Sequence, residues 1–340
     1  MTLAYQVFTK GFFIVLALTT LLFLAGIVVL PGYAEQAEAQ SEPAGGEVPA
    51  VTHNTWTSGA AMPTPLAFST AAVLKNEIYV VGGNNGTGQV ADVQIYNPVT
   101  NTWSTGPSYP TTIGSASSAV AKNILYVFGG SSDGVNPTNA VWAYNPETKA
   151  WTAAAAMPTA RWGSDAVVEK KTNIIYVIGG AANGSGNDFL ATVESYNPAT
   201  NTWTEEAPML VAKAQAAAGL IGTTIVVADG GTNGQGTTGD TEAYDATTNK
   251  WTSLASDPVS RYASCQGSIG TKLYDMGGQT APTYSDDFQL SKNKWTTSLA
   301  LVPQSIIFPA SAVFKKQLYC IGGWSANGGP IIGNVQIYQP

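Results

Sequence analysis

The feature that most limits what this chain can fold into is a short apolar strand ending in two glycines, written six times. The copies are IYVVGG at 78–83, LYVFGG at 125–130, IYVIGG at 175–180, VVADGG at 226–231, LYDMGG at 273–278 and LYCIGG at 318–323. Their second glycines are 47, 50, 51, 47 and 45 residues apart. A period in this range signals a repeat architecture and overrides the two domains that length alone suggests. After each pair comes a Gly/Asn-rich stretch, then an aromatic residue, and seven residues later a tryptophan. These pairs are Tyr96–Trp103, Tyr144–Trp151, Tyr196–Trp203, Tyr244–Trp251 and Phe288–Trp295. Turn sequences such as NPVTN and NPETK lie between the partners and suit a tight connection between strands.

Each unit therefore reads as four strands: an Ala/Ser/Val-rich one, the one ending in Gly-Gly, the one reaching Tyr and the one carrying Trp. Helical periodicity is missing after residue 50, so the fold class is all-β and the period that of a six-bladed β-propeller. Hydrophobic residues make up 44% of the chain, enough for a large core. The sixth unit stops at Pro340 before any Trp strand, while THNTW at 52–56 is a Trp strand with no unit of its own. This N-terminal strand is expected to complete the last blade and close the ring, hiding two open edges.

The Gly-Gly, Tyr and Trp pattern, with Met-Pro openings such as Ala61-Met62-Pro63 and Ala156-Met157-Pro158, resembles the kelch-repeat family. The resemblance covers residues 51–340 and implies a kelch-type propeller. Fold alone leaves function open.

Upstream of the repeats, residues 12–30 are uncharged and nearly all apolar. Lys10 precedes them and four glutamates follow, which directs the remainder out of the cytoplasm. The segment 1–34 reads as a signal peptide or a signal-anchor, 35–50 as a polar linker and 51–340 as the propeller. An exported protein (periplasmic, extracellular or cell-surface) is expected, touching a membrane through this segment alone.

Net charge of −7 with two arginines argues against nucleic acid, which needs clustered cations. A single histidine, His53, excludes multi-His metal sites, and no metal or cofactor is expected. Cys265 and Cys320 lie in adjacent blades, as two buried thiols or, given export, a disulfide. Asp229 and Asp275 interrupt strands that are apolar elsewhere, and each needs a partner if buried. They are placed in different blades at unmatched positions, with Asp229 taken as an inserted residue.

The sharpest functional signal is one repeat position, occupied in turn by Leu66, Ile113, Arg161, Lys213, Arg261 and Ile306. Three adjacent units carry a cation and the opposite three an aliphatic. One reading is a one-sided cationic pocket at the channel mouth, walled by Trp162 and Tyr262, for an anionic sugar or acidic peptide. The resemblance to the family implies the same, since its arginines at this position often line the ligand-binding face. The other reading is local pairing, for example Arg161 with Asp165. Trp324, just past the sixth Gly-Gly, is a further candidate for stacking on a sugar. The stretches after each Gly-Gly are long and variable, as recognition loops are.

A monomeric, non-enzymatic binding module for a protein or carbohydrate ligand is the leading expectation. The alternative is a carbohydrate-active enzyme resembling the sialic-acid mutarotases, although no catalytic motif carries over residue by residue.

Overall fold

The structure, a computed structural model, describes residues 53–183, 188–233, 236–326 and 328–340. The expected signal or anchor segment and the polar linker lie outside the described residues. Twenty-four strands form six four-stranded antiparallel sheets, five of which run from an inner to an outer strand in chain order. The inner strands of blades one to six are Thr70–Leu74, Ser117–Ala121, Asp165–Glu169, Ala217–Ile221, Cys265–Ile269 and Ala310–Phe314. Thr55–Gly59 pairs with Val335–Gln339 as the outer strand of blade six, so the ring closes as the repeat count requires.

The repeated tryptophans explain themselves. Each indole N–H is donated to a backbone carbonyl of the connection entering its own blade: Trp103 to Ala60 at 2.8 Å, Trp203 to Ala155 at 2.8 Å, Trp56 to Ala300 at 2.9 Å. The partner tyrosine is buried beside it, and its hydroxyl is donated to an asparagine in the turn between the last two strands, as Tyr96 to Asn101 and Tyr196 to Asn201. These asparagines sit at positive φ, 55° at both positions, a conformation Asn tolerates. Each also accepts the N–H of the entering connection, Ala60 or Ala155. Tyr, Asn and Trp thus fasten one blade to the chain arriving from the last. Between blades the faces are apolar: Ile78 and Val80 of blade one pack with Tyr319 and Ile321 of blade six. A fully buried aliphatic such as Ile78 contributes about 1.5–3 kcal/mol.

The first glycine of each pair is required by close approach. At Gly129 φ is 61°, and a Cβ would stand 2.3 Å from the Arg161 carbonyl of the next blade. Here the fourth repeat departs from its sequence reading. The backbone contacts align Asp229 and Gly230 with Gly129 and Gly130, and Gly231 with Ser131. Asp229 is therefore no insertion. It occupies the first-glycine position with φ of 59°.

Candidate functional site

The six aligned positions are structurally equivalent. The carbonyls of Leu66, Ile113, Arg161, Lys213, Arg261 and Ile306 each accept the N–H of the second turn residue of the preceding blade, at 2.7–3.0 Å. Their side chains all point inward. Arg161 and Arg261 are 0% exposed and Lys213 is 1% exposed.

This burial corrects the expected cationic pocket: none of the three cations reaches the channel mouth, because each is spent on an acid of its own blade. Arg161 pairs with Glu194 at 2.9 Å, Lys213 with Glu242 at 3.0 Å, and Arg261 with Asp286 and, at 3.5 Å, Asp257. Arg161 also donates to the carbonyls of Gly179 and Thr192 at 2.9 and 3.0 Å, and Lys213 to that of Asp240 at 3.0 Å. Burial pulls the Arg161 guanidinium below its usual range, and Glu194 opposes that pull. The local partner suggested for Arg161, Asp165, is likewise replaced by Glu194.

A sequence signal for these pairs exists. The third-strand position that carries Glu194, Glu242 and Asp286 holds Gln94, Trp142 and Gln336 in the other blades. Cation and acid change together. In two of the cation-free blades glutamine ties down the same entering loop: Gln94 accepts from the Thr64 N–H and donates to the Thr64 carbonyl, and Gln336 does the same with Gln304.

Two residues further on, the chain forms the mouth itself. Phe68, Ser115, Gly163, Gln215, Ala263 and Phe308 all have φ between 53° and 62°. Each donates its N–H to the carbonyl of the preceding one, and Phe68 donates to Phe308, so six bonds of 2.7–3.0 Å close a circle. Left-handed backbone costs about 1–2 kcal/mol per non-glycine residue. The circle offsets that cost, each bond polarising the next.

The ring is uneven in side chains. Phe68 and Phe308 pack with centroids 4.1 Å apart and planes tilted by 35°; Trp324 sits edge-on to both, at 5.1 and 5.6 Å; Tyr262 meets Phe308 at 6.1 Å. All four are partly exposed. The structure thus brings together two predicted residues, Tyr262 and Trp324, with two that sequence reading missed, Phe68 and Phe308. Trp162 stands apart from this group, its indole N–H donated to the Asn183 carbonyl.

Below the mouth, the six inner strands enclose a cavity of about 430 Å³ lined largely by alanine and serine. Asp165 and Lys170 are the ionisable residues lining it among those described. Asp165 accepts from Gln266 Nε2 at 3.2 Å, and burial, with Asp275 nearby, pushes its carboxyl well above the usual range. His53 lies at the outer edge of blade six, where its Nδ1 meets the Pro340 carbonyl.

Two further expectations change. Cys265 and Cys320 form a disulfide, with Cα atoms 5.5 Å apart, joining the inner strand of blade five to the second strand of blade six. The paired inter-blade faces bring their Cβ atoms into range, which an unaligned sequence does not show. Asp229 and Asp275 do converge, because blade four presents its turn to the second strand of blade five. With Asp257, one carboxylate oxygen of each lies within 4.8 Å of the others.

Residues 47–157 and 115–323 match the profile of the KLHDC2/KLHL20/DRC7 Kelch-repeats domain. No curated protein matches the chain. Among solved structures, one described as "Structure of YjhT" superposes with a TM-score of 0.70 at 21% identity, covering 81% of this chain and 95% of that one, which supports the fold alone. Six four-stranded blades, the Tyr–Trp fastening and a profile match spanning most of the propeller lead to one conclusion: the chain belongs to the kelch-repeat family.

Proposed function

We propose that this protein is an exported binding module that recognises its ligand on the loop face, by stacking it against Trp324, Phe68, Phe308 and Tyr262. The observation that carries this reading is the mutual packing of four partly exposed rings beside a channel lined largely by alanine and serine. Aromatic faces offer rigid apolar area at low entropic cost, with polar groups around them to fix orientation. The ligand class that fits is a sugar ring or an apolar peptide side chain. An anionic preference has lost its support, since the three cations are neutralised internally. Export is supported by the apolar run at 12–30 and by the Cys265–Cys320 disulfide, which persists in oxidising compartments. Titration of the purified protein with oligosaccharides and peptides, followed by tryptophan fluorescence, tests the reading. A ligand that shifts the emission is expected to lose its effect in Trp324→Ala.

A second reading, a carbohydrate-active enzyme, draws on Asp165, a carboxyl on the channel wall whose proton is held past the ordinary range. If it acts as an acid, Asp165→Asn abolishes anomeric exchange measured by NMR while ligand binding survives.

A further inference from the structure

We propose that Asp229, Asp257 and Asp275 form a binding site for a divalent cation of calcium's size, at the junction of blades four and five. Each acid replaces a residue that is apolar in the other repeats. Asp229 takes the place of the first glycine of the turn. Asp257 stands where Met62, Met157 and Met209 stand before their own inner strands, and in those three junctions a Cβ on that glycine would meet the methionine Cε at 2.9–3.0 Å. Asp275 replaces the valine represented by Val80, Val127, Val177 and Val227. Where three junctions hold glycine, methionine and valine, this one brings three carboxylates together.

Of these carboxylate oxygens only Asp257 Oδ1 accepts a hydrogen bond, from the Val259 N–H at 2.9 Å. Both oxygens of Asp229 and both of Asp275 lack a hydrogen-bond partner, although the residues are 1% and 0% exposed. Asp286 lies directly opposite Asp275 across the paired strands, hence on the same sheet face, and its Oδ1 is also unpartnered. Four buried acids therefore share one guanidinium, Arg261, which is already committed to Asp286 and Asp257. Leaving such charge uncompensated is prohibitive in a protein interior. Burial pushes the Asp229 carboxyl far up, with Asp275 and Asp257 adding to the push, and a cation would remove that penalty.

The donor set selects the ion. Three carboxylates offer up to six hard oxygens, and calcium takes six to eight at about 2.3–2.6 Å, so oxygens facing each other across it stand roughly 4.6–5.2 Å apart. One oxygen of each acid lies within 4.8 Å of the others, close enough for a single ion to bridge all three. Magnesium, bound at about 2.0–2.1 Å, demands near-octahedral geometry and keeps several of its waters, which suits a buried set of carboxylates poorly. Zinc favours nitrogen or sulfur donors. Here both cysteines are bridged, and the single histidine is bonded at the outer edge of blade six.

The site ties blade four to blade five, so the readout is stability as well as occupancy. Purified full-length protein is stripped with EGTA and melted by calorimetry at neutral pH, with and without millimolar calcium chloride. Magnesium chloride serves as the control, and terbium luminescence reports occupancy. Calcium is expected to raise the melting temperature by a few degrees and terbium to bind at about one equivalent. Both responses should vanish in Asp229→Gly/Asp257→Met/Asp275→Val, which restores the residues of the other blades. Should that variant fail to fold, Asp275→Asn, which keeps the shape, is expected to weaken calcium binding at least tenfold. A wild-type protein that neither binds terbium nor gains stability from calcium overturns the proposal, leaving the acids neutral and proton-sharing. An equal response in wild type and in whichever variant folds also overturns it.

Discussion

In blades three, four and five the carbonyl that closes onto the preceding blade belongs to Arg161, Lys213 or Arg261; in blades six, one and two it belongs to Ile306, Leu66 or Ile113. The backbone contact is the same in both halves, while the two repeat positions hold an ion pair in one and an aliphatic with glutamine or tryptophan in the other. A buried ion pair and a well-packed apolar replacement are often close in stability, because desolvation consumes most of the Coulombic gain. The repeat tolerates either solution provided both partners change together. The halves also differ at the mouth. Phe68, Phe308 and Trp324 gather over blades six and one, whereas Ser115, Gly163 and Gln215 line the rim of blades two to four. The three cations of this repeat position are thus kept inside the scaffold, while the rings at the mouth are the surface on which the proposed function rests.

The comparison breaks most visibly at a single acid. Glu194→Ala leaves the Arg161 guanidinium buried without its carboxylate and should cost about 3–5 kcal/mol in denaturant unfolding. Arg161→Leu with Glu194→Gln, which copies the Leu66 and Gln94 of blade one, should recover most of that loss. A single-mutant cost below about 1 kcal/mol would mean the pair is hydrated and the two halves are not alternatives.

Next in size is the covalent link where the halves meet, between blades five and six. Replacing Cys265 and Cys320 by alanine should lower stability by about 2–4 kcal/mol, seen as a fall in melting temperature. An unchanged melting temperature would show that this junction is held by packing alone.

The smallest effect concerns the channel. In the folded protein the Asp165 carboxyl holds its proton above the usual value of about 3.9. Its favourable contribution is complete below that value and is lost as pH rises through the raised one. Asp165→Asn should match the wild type near pH ~4 and become the more stable of the two toward neutrality, in thermal melts across pH. A stability gap that stays constant, or opens on the acid side, would place Asp165 in contact with bulk water.

Much of this was legible in the sequence. The Gly-Gly, Tyr and Trp spacing yields the six blades, the THNTW closure and the equivalence of Arg161, Lys213 and Arg261, since sheet periodicity and turn chemistry are local. What that equivalence meant was not. Whether a cation faces a channel or an acid 25 to 33 residues later depends on how a strand lies against its blade, although the matched change at Glu194, Glu242 and Asp286 was there to be read. Phe68 and Phe308 escaped notice because their role arises from a left-handed turn that carries two residues of different blades to 4.1 Å. Asp229 was misplaced by one residue, because Gly231 completes a false Gly-Gly pair.

The claim that aromatic rings, and not the cations, face the ligand is tested most directly by one binding comparison. Labelled wild-type protein is read on oligosaccharide and peptide arrays, and its strongest hit is then titrated against Trp324→Ala and against the Arg161→Leu/Glu194→Gln exchange. The account predicts at least about a tenfold loss of affinity, or 1.4 kcal/mol, in the first and affinity close to wild type in the second. Retained binding in Trp324→Ala together with lost binding in a folded exchange variant would contradict it.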